Sequence, residues 1–281
     1  MGRERSQGHR GLWLLVGALA RAGSVRAMVR PVPPQVIPRP STWAPGAPAP
    51  WAAVPAARRS GITVARVLAA FESSGQRGPV PADVGTDRAL RTTVLVNEAN
   101  APLVRSVNAG VLACLFDEDG EARVVLTRRS SGLRTHRGEV SFPGGRIDAG
   151  EDPTSAALRE AHEEIALEPA LVTPVGWMHP VLTMVSGSLI MPVLATVAGR
   201  PRLVPSPHEV ERVFDVALAE LADPTVFHEE HWTIPGRTIP GSPDNSFPVW
   251  FFEVSGEMIW GATARMLHEL LGIVLLGAPG D

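Results

Sequence analysis

Residues 145–167 read GRIDAGEDPTSAALREAHEEIAL. A glycine turn opens the stretch. Asp152 and Pro153 follow, a capping residue and then a proline suited to the first helical position. Ala156, Ala157, Leu158, Ala161 and Ile165 then supply apolar surface for packing a helix. Glu160, Glu163 and Glu164 are three and four residues apart, so they share one helical face. Like charges packed this way destabilise an isolated helix. A hard divalent cation would remove the repulsion, because carboxylate oxygen is the ligand such ions prefer. A solvated acidic face has the same pattern, and the spacing alone leaves both readings open.

The register of these residues against the glycine turn resembles the Nudix box. That pattern is Gly, five residues, Glu, seven residues, Arg-Glu, an aliphatic residue, any residue, Glu-Glu, any residue, Gly and an aliphatic residue. Gly145, Glu151, Arg159, Glu160, Glu163, Glu164 and Leu167 take their places in it. Ala161 stands at the first aliphatic position and Ala166 at the second glycine, so the departures concern packing rather than chemistry. The resemblance implies an α/β/α sandwich around a mixed β-sheet, and a pyrophosphohydrolase that needs Mg²⁺ or Mn²⁺. Glu160 and Glu164, one turn apart, are the expected principal metal ligands, and the Gly145 carbonyl is a candidate extra ligand. Glu163 is a further ligand or the general base, and the sequence does not separate those roles. Gly144 and Gly145 allow a sharp turn, while the resemblance implies a salt bridge from Glu151 to Arg159 that holds the turn against the helix.

Upstream, residues 126–145 read LTRRSSGLRTHRGEVSFPGG. This is similar to the extra motif of the coenzyme A pyrophosphatase branch of Nudix hydrolases, with its Leu-Thr-x-Arg, Leu-Arg-x-His and Gly-x-Val-x-Phe-Pro-Gly-Gly blocks. Pro174-Val175-Gly176, Pro180–Thr183, Pro207–Val210 and Ile259–Arg265 resemble later blocks, so the likeness runs over about residues 88–276. It implies cleavage of coenzyme A or an acyl-CoA to 3′,5′-ADP and a phosphopantetheine. Arginine forks suit such a polyanion. Arg128, Arg134 and His136 are the expected substrate-binding residues. Arg129 and Arg137 read as surface residues or partners of nearby glutamates, and His136 as a structural histidine in the competing view. ADP-ribose, NADH or a nucleoside triphosphate are alternative substrates. A non-catalytic Nudix-fold binding protein is the alternative of a different class, against which all three box glutamates stand.

The 281 residues carry a net charge of −3, which argues against a general nucleic-acid binder, and the resemblance implies a small nucleotide as the partner. All 26 basic residues are arginine, and tyrosine is absent, a composition that points to a GC-rich bacterial genome. Cys114 is the only cysteine, so no intrachain disulfide forms, which fits a cytoplasmic location. It lies in the apolar run 111–116 and reads as a buried small hydrophobe. His179, His208, His228, His231 and His268 show no metal-ligand spacing. Nudix hydrolases often form homodimers, and the resemblance extends that expectation here.

The apolar run 11–20 is too short for a membrane span of about 20 residues. It reads as a short signal-like core or as sequence upstream of a start at Met28. Residues 31–60 hold many prolines, so residues 1–60 are expected to form a poorly ordered Pro/Ala-rich extension, with Trp43 and Trp51 as pins to the body. A short helix over 62–73 and a loop fill residues 61–87, and the domain occupies 88–281. Strands are expected at 92–96, 109–116, 122–127, 140–142, 172–177, 189–197, 209–216, 231–234 and 249–254, with a short helix at 217–221 and a terminal helix over 263–276.

Overall fold

A computed structural model describes residues 35, 37–75, 91–96, 102–133, 136–183, 188–236, 239 and 242–277, with the side chains of 91–106 outside the description. The apolar run 11–20 and Met28 also lie outside it. In chain order, β1 (Thr42–Pro45), α1 (Ala56–Arg59) and α2 (Val64–Ser73) precede a hairpin of β2 (Arg91–Val96) and β3 (Pro102–Ser106). Next come β4 (Ala109–Glu118), β5 (Glu121–Arg129), β6 (Val140–Ser141), β7 (Gly144–Arg146) and α3 (Pro153–Ile165). Strands β8 (Val172–Trp177), β9 (Val181–Leu182), β10 (Leu189–Val197) and β11 (Val210–Ala217) lead to α4 (Leu218–Leu221). Finally β12 (Phe227–Thr233), β13 (Phe247–Val254) and β14 (Glu257–Trp260) lead into α5 (Gly261–Leu276).

The main sheet runs β11-β5-β4-β10-β8, with β6, β7 and β9 paired to β5, β4 and β10. β10 is parallel to β4 and its other pairings are antiparallel, so the sheet is mixed. The apolar run of β4 is continuous because both faces of the strand are covered. Leu112, Cys114 and Phe116 join Ala157, Ala161 and Ile165 of α3 on one face. Ala113 and Leu115 join Leu267 and Leu271 of α5, with Val67 and Phe71 of α2, on the other. The expected α/β/α layering is therefore present. Burying each such Leu or Phe contributes about 1.5–3 kcal/mol. Cys114 is fully buried, and burial pushes its thiol up to about 12, which removes it from nucleophilic chemistry.

The helix begins as its sequence dictates. Asp152 Oδ1 accepts from the Thr154 and Ser155 amides at 2.8 and 3.3 Å, with Pro153 at the first position. It ends at Ala166, with φ at 54° in the left-handed region. That geometry explains why the box prefers glycine there. A methyl side chain costs about 1 kcal/mol in this conformation.

The expectation of a poorly ordered extension through residue 60 is corrected by residues 42–60. β1 pairs antiparallel with β12 at the edge of a second sheet ordered β1-β12-β13-β14. Proline is tolerated on such an edge, where its missing N–H is not needed. Trp51 is fully buried, its ring 5.3 Å from Phe227 and 6.2 Å from Phe252. Trp43 is 46% exposed, with the Arg39 guanidinium 5.3 Å from its ring centre. Arg39 also anchors the segment, its Nε donating to the buried Glu230 at 2.9 Å. Among the described residues no helix is long and apolar enough to cross a membrane.

Candidate active site

Strand β7 pairs with β4 so that Gly145 faces Gly110 and Gly144 faces Val111. Gly144 has φ at 148°, and a side-chain carbon there would meet the Gly110 carbonyl oxygen at 2.4 Å. A carbon on Gly145 would meet the Glu160 carboxylate at 2.4–2.6 Å. A carbon on Gly110 would meet the Pro153 carbonyl oxygen at 2.2 Å. These three bare positions let the helix start and the turn close on each other, with the Glu160 carboxylate laid on the Gly145 backbone.

Arg159 organises the acids. Its Nε and Nη2 donate to the two oxygens of Glu151 at 2.8 and 3.1 Å, and Nη2 also donates to the Arg146 carbonyl at 3.0 Å. This places the expected fork between turn and helix. The pairing holds the Glu151 carboxyl below its usual range and raises Arg159. Arg159 Nη1 also reaches Glu160 at 3.0 Å and Glu163 at 3.5 Å. Glu163 is 55% exposed, whereas Glu164 is buried under Gly144, whose amide donates to it at 3.1 Å. Burial lifts Glu164 to about 7, and the Gly144 amide and Arg129 only partly oppose it. Burial also raises Glu160, against the pull of Arg159.

The substrate side differs from expectation at Arg128. Successive side chains of β5 point to opposite faces. Arg128 therefore lies away from α3, 6% exposed, with Nη1 2.5 Å from Glu257 and Nε 3.5 Å from Glu211. A guanidinium so enclosed holds strands together rather than meeting a solute. Arg129, read from sequence as a surface residue, points to the site and lies 3.6 Å from Glu164. Arg134 lies outside the described residues. His136 is 49% exposed, with φ at 56° and Nδ1 2.8 Å from Glu139. Arg137 donates to the Leu133 carbonyl at 2.5 Å within the same loop.

Sequence reasoning gave no role to Glu209. Its charge bears on both Glu160 and Glu164, raising each. The Ser130 amide donates to the Glu209 carbonyl at 2.8 Å, and the Ser206 amide to the Glu164 carbonyl at 2.7 Å, so the loop before β11 is tied to the site from two sides. The only signal in sequence was its place in the block 207–210.

The donor set fits a hard divalent cation: a buried carboxylate, a half-buried one laid on a glycine backbone, an exposed one and a further acid nearby. Among the described residues no three acids yet converge on one point, because Glu160 and Glu163 are both drawn onto Arg159.

A family model for the NUDIX domain matches residues 107–236. Nudix hydrolase 22, chloroplastic, of Arabidopsis thaliana is 36% identical over 197 residues, covering 67% of this chain and 62% of the relative. Nudix hydrolase 3 of Caenorhabditis elegans is 33% identical over 191 residues, covering 64% of this chain and 77% of the relative. An uncharacterized Nudix hydrolase NudL of Enterobacter sp. (strain 638) is 32% identical over 170 residues, covering 60% and 77%. The chain spans about three fifths of Nudix hydrolase 22 and of Nudix hydrolase 15, mitochondrial, of Arabidopsis thaliana, at 62% and 60% of their lengths. A crystal structure of a Nudix hydrolase from M. smegmatis, RenU, superposes with a TM-score of 0.36 at 26% identity, over 45% of this chain and 80% of that one. With the box residues gathered on one helix and turn, and relatives matched over three quarters of their length, the chain belongs to the Nudix hydrolase family.

Proposed function

We propose that the protein hydrolyses the pyrophosphate of coenzyme A or an acyl-CoA, releasing 3′,5′-ADP and a phosphopantetheine. The substrate reading is carried by one observation, the run 126–145 with its Leu-Thr-x-Arg, Leu-Arg-x-His and Gly-x-Val-x-Phe-Pro-Gly-Gly blocks. Nudix hydrolases generally use divalent metal ions, and Mg²⁺ or Mn²⁺ is proposed here. When bound, the ion supplies charge neutralisation and a more acidic water. Glu160, Glu164 and the Gly145 carbonyl would hold it, with Glu163 or Glu209 completing the set. Glu163 is the box carboxylate most open to solvent and is proposed as proton acceptor from the attacking water. Glu151 and Arg159 keep the turn seated on the helix. Arg134 and His136 are proposed to meet the nucleotide end of the substrate. Incubation with coenzyme A and Mn²⁺, followed by product analysis, tests the reading. Release of 3′,5′-ADP is expected. Intact coenzyme A beside cleaved ADP-ribose or NADH would overturn the substrate assignment.

A further inference from the structure

Trp232 and Trp250 of the second sheet each place the indole N–H on a carboxylate of β12, at 2.7 Å on Glu230 and 2.9 Å on Glu229. Trp51 is fully buried, yet its Nε1 has no hydrogen-bond partner among the described residues. Its ring lies 5.6 Å from that of His268 on α5. The Nε2 of His268 is also buried and also without a partner among the described residues. Trp250 stacks on the imidazole at 4.8 Å, and Phe227 lies 5.8 Å from it. An indole N–H only donates, and an imidazole nitrogen accepts only while it is unprotonated. A buried donor and a buried acceptor thus share one aromatic cluster, and each is costly to leave unmet.

Trp51 belongs to the segment that pairs with β12. All four residues of β1 are exposed, and between Thr42 and Pro55 only Ala49 and Trp51 are buried. The remaining hold is polar. The Gly46 amide donates to the Glu229 carbonyl at 2.7 Å, the Ala47 amide to the Glu229 carboxylate at 3.2 Å, and Arg39 to Glu230. The seat of the whole segment therefore depends on the cluster that receives Trp51.

We propose that Trp51 and His268 form a latch that opens on acidification. The neutral imidazole accepts the Trp51 N–H, directly or through one trapped water, and keeps residues 42–51 on β12. The protonated ring turns a donor toward a donor and puts a charge inside the cluster, so the segment lets go. Burial holds His268 below its ordinary 6.5, Glu229 of β12 pulls the other way, and Arg265 on α5 adds to burial. Glu269, next to it on α5, is engaged by His179. Residues 46–54 have no ionisable side chain, and β13 presents Trp250. On the other clamp, His228 stacks on Phe251 and lies 3.6 Å from Glu230. The docking tied to His268 is full above 6.5 and weakens as pH falls below it. One unit lower, the released imidazole is about ten parts protonated to one neutral, which favours release by up to about tenfold.

Amide hydrogen exchange of the full chain, corrected for the intrinsic rate, tests this at about pH 7.5 and about pH 5.5. Protection of residues 42–47 is expected to fall roughly five- to tenfold at the lower pH, while β4 and β10 keep theirs. His268→Gln offers an amide that does not titrate and is expected to remove the drop. Trp51→Phe keeps a ring but deletes the N–H, and is expected to leave the segment less protected than wild type at the higher pH. Protection equal to wild type in Trp51→Phe overturns the donor–acceptor pair. Wild-type protection that is the same at both pH values overturns the latch, and so does a drop shared by β4 and β10. A drop that survives in His268→Gln and vanishes in His228→Gln overturns it as well, by placing the trigger on the opposite face of β12.

Discussion

Two charge clusters lie on opposite faces of β5, and they follow opposite rules. On one face Arg128 and Arg212 both hold Glu257, at 2.5 and 3.1 Å, and Glu211 stands 3.5 Å from Arg128. Positive and negative groups balance, and Glu257 is 3% exposed. On the other face Glu151, Glu160, Glu163 and Glu164 form their ion pairs with Arg159, Arg129 or both arginines among the described residues, and the charge of Glu209 adds to the acids. One cluster is finished and joins three strands. The other is unfinished and carries surplus carboxylate, which a bound cation would balance. Burial by itself therefore does not mark a functional charge. A charge left without enough partners does.

The contrast can be tested in order of expected effect. Glu164→Gln removes one negative charge from the unfinished cluster. Metal-dependent turnover should fall by roughly 10²–10⁴-fold while the circular dichroism melt is retained. Turnover near wild type would remove Glu164 from the metal site. Glu257→Ala strikes the finished cluster and leaves two arginines facing a void. Urea denaturation should show a loss of about 3–5 kcal/mol. A loss below about 1 kcal/mol would mean that water already reaches the pair.

The third test is pH. Burial lifts Glu164 from 4.5 to about 7, so the native state of the metal-free protein binds a proton that the unfolded chain releases. The stability tied to this group is fully present below pH 4.5 and is lost as pH rises through about 7. At about 1.4 kcal/mol per unit, the loss should approach 3 kcal/mol. Glu151, held down by Arg159, acts in the opposite direction at lower pH. The difference between wild type and Glu164→Gln therefore isolates the term, and saturating Mn²⁺ should abolish it. A flat difference from pH 4.5 to 7 would show that Glu164 is ionised without metal. The smallest effect belongs to the helix end. Ala166→Gly relieves the left-handed alanine and should stabilise by about 0.5–1 kcal/mol in the same denaturation assay.

Much of this was legible in the residues. β8 and β10 occupy the expected spans, and β10 reads as a near-continuous apolar run because it is buried on both faces. The box alone sets Glu160, Glu163 and Glu164 on one helix and implies the pairing of Arg159 with Glu151 that the fold contains. β1 was missed because Pro45 and the prolines on either side of the strand argue against it, and nothing local announces that it lies on an edge. β7 and β14 are too short or too glycine-rich to show periodicity. The exchange of Arg128 for Arg129 is different, since its signal was present: in the Leu-Thr-x-Arg block the arginine position falls on Arg129. Val125 packs with α3, so residues two and four further along the strand face the same way. Glu209 had no such signal, because only the pairing of β11 with β5 brings it to the box.

The second sheet has a consequence for where this protein can be cut. β12 lies inside the matched stretch 107–236, but both strands that hydrogen-bond to it, β1 and β13, lie outside. A fragment trimmed to the recognisable family segment would carry Phe227 and Trp232 with both of the strand's edges bare and Trp51, which packs against Phe227, gone. The line drawn by ancestry and the line drawn by cooperative folding do not coincide. The residues that look most dispensable by likeness, 42–51, are those that seal the open edge of β12.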